Sequence, residues 1–139
     1  MKRLASIIAL LVLIGILFAY FMYNKPHRNI AGEAVSYEAT VQEMVAEFTV
    51  DETKAYEKYF ERVVVLSGSL TSVTVGGDEL INLLLEGEAA VANCQLSSGQ
   101  ELHFWSDLKG KTIEIKGLFV GYDDLLEEVQ FKECTYYEE

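Results

Sequence analysis

The sequence predicts a mainly β domain, a small closed barrel of five short strands preceded by short helices and tethered by one N-terminal membrane helix. Three observations carry this expectation. Residues 1–23 contain 19 apolar residues and no acid. From Val63 onward, the apolar period changes from 3.6 to 2 in segments separated by Gly-, Asp- and Ser-containing turns. One short helical stretch interrupts those segments between the third and the fourth. A chain of 139 residues allows a single small domain beside an anchor and rules out a multidomain enzyme.

Met1-Lys2-Arg3 precedes Leu4–Tyr23, twenty residues without a charge. At about 1.5 Å rise per residue, this stretch matches a hydrocarbon core of about 30 Å. In lipid the backbone must satisfy its own hydrogen bonds, so the segment is expected to be helical. Tyr20, Phe21 and Tyr23 gather at one end, as amphipathic rings do at the headgroup level. Lys25, His27 and Arg28 follow, long enough to snorkel to the interface. A cleaved signal peptide has a shorter apolar run, about 7–15 residues, and a small-x-small site. Here the run passes into Phe21-Met22-Tyr23-Asn24-Lys25-Pro26 with no Ala-x-Ala, and no cysteine stands near its end for lipid attachment. The expectation is an uncleaved single-pass anchor, residues 4–23, which in a bacterium would lie in the inner (cytoplasmic) membrane. Lys2, Arg3 and the amino terminus slightly outweigh Lys25 and Arg28, which favours a cytoplasmic amino terminus and a periplasmic or otherwise extracytoplasmic C-terminal domain.

Residues 24–36 read as a linker holding the only proline, Pro26, and residues 37–139 as the domain. Thr40-Val41-Gln42-Glu43 has the capping-box form, and Val41, Met44, Val45 and Phe48 follow as one apolar stripe. Asp51 is placed to cap a second short helix with Ala55, Tyr56, Tyr59 and Phe60 on a common face. Val63–Val75 is rich in β-branched residues, with Gly68 where the strand would bend sharply. Gly76-Gly77-Asp78 turns it into Leu80–Glu86, and Gly87-Glu88 turns again into Ala89–Leu96. Glu101–Leu108 reads as a short helix carrying Leu102, Phe104 and Trp105. Lys109-Gly110-Lys111 leads into Thr112–Val120, and Gly121-Tyr122-Asp123-Asp124 precedes a last strand over Glu127–Tyr137. Three strands, a helix and two strands is the order of the five-stranded Greek-key OB barrel.

Residues 31–139 hold all 22 acids and only seven Lys or Arg, a formal charge of −15. Their apolar content is that of a folded domain, so disorder is not expected. Such a balance opposes nucleic acid as a partner, since every phosphate contact must overcome repulsion that salt screens only in part. Lys109, Lys111 and Lys116 are the only basic grouping, and Glu114 interrupts them.

Several stretches together resemble a known family. Tyr23-Asn24-Lys25-Pro26-His27-Arg28 follows the anchor, and the helical Asp51 to Tyr59 stretch precedes Val65-Leu66-Ser67-Gly68-Ser69-Leu70 in the first strand. Cys94 stands in the third, Lys109-Gly110-Lys111 before the fourth, and Val129-Gln130-Phe131-Lys132-Glu133-Cys134 in the last. On these features the chain looks like the tRNA-anticodon-like OB-fold family of small, often membrane-anchored bacterial proteins, over residues 23–136. The resemblance implies the OB fold. The family's name reflects likeness to nucleic-acid-binding domains and does not itself imply such binding.

Cys94 and Cys134 fall on strands that are neighbours in an OB barrel. A disulfide closing about 40 residues would contribute about 4 kcal/mol on the chain-entropy argument and needs an oxidising compartment. Two buried thiols acting as small hydrophobes satisfy the same spacing. Phe131 and Cys134 share an inner face only if a bulge lies between them. There is no Cys-x-x-Cys, so redox catalysis is not expected. His103 has no second His or Cys near it, and Asp123, Asp124, Glu127 and Glu128 lack alternating ligand spacing, so no metal site is expected. No nucleophile elbow, Walker loop or dinucleotide fingerprint is present, so neither enzyme activity nor a cofactor is expected.

If Ile81, Leu83, Leu85, Ala90, Ala92 and Cys94 point inward, the opposite side presents Asn82, Leu84, Val91, Asn93 and Gln95. OB folds bind ligands there. This face is uncharged apart from its margins and carries no aromatic platform, whereas single-strand grooves pair positive charge with stacking rings. Tyr56, Tyr59, Phe60, Phe104 and Trp105 are expected as barrel plugs and core. A membrane-held binding module for an envelope protein, peptide or glycan is the leading expectation. The alternative is a nucleic-acid-binding module on the cytoplasmic side.

Overall fold

The computed structural model describes residues 2–24 and 28–138. The snorkelling role expected of Lys25 and His27 and the linker role of Pro26 lie outside these residues. Helix α1 spans Lys2–Tyr23, and its Leu4–Tyr23 stretch is long and apolar enough to cross a membrane. None of that stretch is buried against the rest of the protein.

Strand β1 (Tyr37–Thr40) runs directly into helix α2 (Val41–Val50), and α3 (Glu52–Tyr59) follows. The capping box forms as the sequence predicts. Thr40 Oγ1 accepts the Glu43 amide at 3.1 Å, and the Glu43 carboxylate accepts the Thr40 amide at 2.9 Å. The Thr40 amide, together with the Thr40 hydroxyl, holds the Glu43 carboxyl below its ordinary range. Asp51 then caps α3 by accepting the Lys54 amide at 3.1 Å. The α2 stripe of Val41, Met44, Val45 and Phe48 is fully buried.

Five strands close the barrel: β2 (Val63–Val75), β3 (Ile81–Glu86), β4 (Val91–Leu96), β5 (Thr112–Asp123) and β6 (Glu128–Tyr136), with α4 (Leu102–Asp107) between β4 and β5. The order is β2-β3-β4-β6-β5, and a β2–β5 pairing completes the ring. The β4–β6 pair is parallel and the other four are antiparallel. This is the predicted OB barrel. Helix α2 packs on β2, β3, β4 and β6, which places its apolar stripe in the barrel core, while α4 brings the fully buried Trp105 against β2.

Strand β2 belongs to both halves of the barrel. Its first half pairs with β5 and its second with β3, and Ser69 faces both partners. Gly68 stands just before that exchange. A Cβ there would lie 2.7 Å from Val41 Cγ2 and 3.1 Å from Leu85 Cβ, so the glycine admits α2 as well as the bend.

Three features depart from the sequence expectation. First, β1 is an additional strand, pairing parallel with β2 at Tyr37–Val64 through Thr40–Ser67. Second, Phe60 lies beyond the end of α3 and is 49 % exposed, unlike Ala55 and Tyr59, so it is not part of the core face. Phe104 is likewise 44 % exposed, resting edge-on against Trp105 and Tyr136. Third, Lys116 is buried. Its ammonium donates to the carbonyls of Ala31 (3.1 Å) and Glu33, tying the segment just after the described gap to β5. A bidentate Arg28–Glu33 pair at 2.6 Å, the short helical turn Ile30–Gly32 and the buried Ile30 complete this attachment.

The bulge required by the last strand is present. Register between β4 and β6 shifts between Cys94 and Leu96, and Glu133 adopts φ 52°, the left-handed region. This brings both Phe131 and Cys134 inward. Across from them Gly117 leaves the space they occupy: a Cβ there would meet Cys134 Sγ at 2.6 Å and Phe131 Cδ1 at 3.3 Å. Gly117→Ala is therefore expected to cost about 1–3 kcal/mol by overpacking, read as a lowered urea midpoint with unchanged slope.

Candidate functional site

The alternation in β3 and β4 determines what the outer face carries. Ile81, Leu83, Leu85, Ala92 and Cys94 are buried, with Ala90 buried just ahead of β4. Their neighbours Asn82, Leu84, Val91, Asn93 and Gln95 are all half-buried on the opposite side. Antiparallel register sets Asn82 beside Gln95, Leu84 beside Asn93, and Glu86 beside Val91. The five sequence-predicted residues thus share one face.

That face extends further than the five residues. On one flank, Ser72 and Thr74 of β2 stand opposite Leu84 and Asn82. Together with Asn93, these residues line a shallow groove of about 200 Å³. On the other flank, β6 places Gln130 beside Asn93. Sequence reasoning missed Gln130, although its neighbours Val129 and Phe131 point inward and by period 2 it must point out. The OB order already sets the last strand beside the third, so the signal was present and only the period-2 reading of the last strand was lacking.

Four carboxamides, Asn82, Asn93, Gln95 and Gln130, therefore lie on adjacent strands. Among the described residues, the side chains of Asn82, Asn93 and Gln130 make no hydrogen bond within the protein, while Gln95 donates to Asp78 at 3.4 Å. Each carboxamide offers two donors and an acceptor in one plane. They can pair with amide and hydroxyl groups of a ligand without neutralising charge. β3 and β4 carry charge only at Glu86, while β6 flanks Gln130 with Glu128 and Lys132 two residues to either side.

The basic grouping noted in the sequence is not a surface. Lys116 is buried against the backbone of residues 31 and 33, which leaves Lys109 and Lys111 exposed in the turn before β5. Neither β3 nor β4 carries an aromatic residue. Tyr56, Tyr59 and Phe48 instead form a cluster with Phe119 and Tyr122 inside the barrel mouth. Tyr59 is further fixed by donating to Glu47 at 2.9 Å, and burial pushes its hydroxyl up. Glu47 also accepts from Lys58 at 2.8 Å, raising that ammonium.

His103 is exposed and pairs with Asp107 at 3.2 Å within α4. Among the described residues, no group of three or more His, Cys, Asp or Glu is placed to hold a metal ion. The acidic turn after β5 is organised by its own backbone, with Asp123 accepting the amides of Leu125 and Leu126 at 2.9 and 3.1 Å.

The closed five-strand order, the helix between β4 and β5 and the apolar N-terminal helix agree with a family match over residues 1–134, nearly the whole chain. The chain belongs to the tRNA_anti-like family. Among solved structures, a protein of Klebsiella pneumoniae subsp. pneumoniae described as a putative nucleic acid-binding lipoprotein is similar in fold. Its TM-score is 0.55 at 15 % identity, with 73 % of this chain and 91 % of that one covered. An aspartyl-tRNA synthetase of Leishmania major, also described as putative, gives TM-score 0.43 at 8 % identity over 84 % of this chain. One of Entamoeba histolytica gives 0.40 at 10 % over 77 %. The chain spans only about a quarter of each synthetase, 24 % and 27 % of their lengths. No curated protein sequence matches the chain. As a tRNA_anti-like protein it shares the OB barrel, and the fold by itself specifies no ligand.

Proposed function

We propose that this tRNA_anti-like protein is a membrane-anchored, non-enzymatic binding module of the bacterial cell envelope, with its barrel outside the cytoplasm. Its outer β3–β4–β6 face takes a neutral ligand bearing amide and hydroxyl groups, a peptide or glycan segment. The observation that carries this reading is the set of unengaged carboxamides at Asn82, Asn93 and Gln130, with no ring or cation among them. A ligand of this kind bonds to planar amides through paired donors and acceptors, and desolvation of neutral groups costs less than desolvation of charge. The anchor reading rests on Leu4–Tyr23, twenty uncharged residues. Unlike a lipoprotein precursor, the chain has no cysteine before Cys94.

A second reading, nucleic-acid binding on the cytoplasmic side, draws on the description of the Klebsiella protein. Against it stand the −15 charge of residues 31–139 and the burial of Lys116, which removes one of the three clustered lysines.

Protease treatment of intact spheroplasts making the full chain tests the placement. Digestion of the barrel from outside, with a cytoplasmic marker intact, is the expected result. Protection until the spheroplasts are lysed would overturn the envelope reading and return nucleic acid as the ligand to test.

A further inference from the structure

We propose that Cys94 and Cys134 are joined by a disulfide in the mature protein, a covalent link between β4 and β6 that closes the barrel beside its ligand face. Both cysteines are fully buried, on neighbouring strands. Cys94 faces Phe131, and Cys134 faces Leu96 one bulge further on. The left-handed Glu133 turns Cys134 inward, and the two cysteines stand as free, buried thiols on adjoining strands in this structure. Gly117, on the other side of Cys134, is the only residue type that leaves its sulfur room. Two backbone adjustments, the bulge and the glycine, thus turn Cys134 into the core diagonally across from Cys94.

The chemistry is thiol–disulfide exchange with a disulfide-bearing oxidant of the envelope. The two thiols give up two protons and two electrons, and the donor disulfide is reduced to two thiols. Burial pushes the Cys94 thiol well up, and Cys134 beside it adds to the rise. The thiolate needed for exchange is therefore suppressed once the barrel has closed. Oxidation belongs to folding, and the finished link is protected from reductants that attack exposed disulfides. Cys94 lies between Asn93 and Gln95, so the link also holds the central strand of the outer face against β6 and its Gln130.

The test uses the full chain made in a bacterial host and exported at native levels. Cells are lysed directly into denaturant with a mass-tagging maleimide, with or without prior reduction. The expected result is no tag without reductant and two tags after it, with Cys94 and Cys134 peptides recovered as one linked species from an unreduced digest. Tagging of either cysteine without reductant, or linkage of either to another thiol, overturns the proposal. A parallel refolding of the reduced full chain with glutathione disulfide should give the same linked species, and failure there would also overturn it. Added after refolding, the same oxidant should act at least tenfold more slowly. Equal rates would contradict the coupling to folding.

Discussion

Phe48→Ala is expected to destabilise the domain by about 3–5 kcal/mol, the largest effect of any single side-chain truncation considered. Phe48 is 2 % exposed on the stripe that α2 sends into the barrel. Its ring stacks on Tyr122 at 4.7 Å and meets Tyr56 and Phe119 at 5.2 Å each, with Tyr59 at 6.2 Å. Truncation removes the member common to four aromatic pairs and leaves a cavity whose walls come from two helices and β5. Those elements are held by separate attachments, among them the Tyr56 hydroxyl with the Tyr122 amide at 2.9 Å, and cannot all collapse inward. For a domain of about 110 residues the melting temperature should fall by roughly 15–30 °C. Phe60→Ala supplies the contrast. The helical pattern places Phe60 with Tyr56 and Tyr59, yet it is half-exposed, and its removal should shift the melting temperature by only a few degrees. Equal losses for the two variants would mean that α2 does not plug the barrel.

The second large effect concerns binding. In an Asn93→Ala, Gln130→Ala double variant, affinity for the ligand should fall about 30- to 100-fold, as two hydrogen-bonding carboxamides are lost together. Stability should change by less than about 0.5 kcal/mol, because both side chains point outward and make no hydrogen bond among the described residues. A variant that melts as the parent does and binds as the parent does would remove the outer face from the account. Both quantities can be read on one preparation, by calorimetric melting and by titration in nanodiscs.

Much of this structure is local and therefore readable in the chain. The Thr40–Glu43 box and the Asp51 cap each complete themselves within three residues, so spacing alone specifies them. Inward and outward positions of β3 and β4 follow from a strict period of 2, and so did the five outer-face residues. What escaped the sequence depends on pairing between distant segments. β1 is a four-residue strand, Tyr-Glu-Ala-Thr, whose pattern carries no strand signal apart from its contact with β2. Gln130 joins the face because β6 lies beside β4, some 35 residues away in the chain, a neighbourhood that the OB order implies but that period 2 within β3 and β4 does not reach. Lys116 alternates with Ile113 and Ile115 as an outward residue should, and it is buried because residues 30–33 cover it. A basic cluster in sequence thereby became one structural lysine and two exposed ones.

These particulars separate two kinds of OB surface. A face that tracks phosphates needs cations and rings, and here the clustered lysines are dispersed or buried, while the rings lie in the barrel mouth or, as with Phe60 and Phe104, are exposed away from β3 and β4. What remains outward is a neutral band of amides and hydroxyls, bordered by acids. Its ligand should be recognised by hydrogen-bond pattern and be insensitive to salt, because no counterions are displaced.

The most direct measurement is amide chemical-shift mapping of the full chain in nanodiscs, titrated in parallel with a cell-wall disaccharide-peptide fragment and with a single-stranded oligonucleotide. The account predicts saturable shifts centred on Asn82, Asn93, Gln95 and Gln130 with the glycan-peptide, unchanged between low and physiological salt. Saturable, salt-sensitive shifts with the oligonucleotide alone, centred on Lys109 and Lys111, would contradict it.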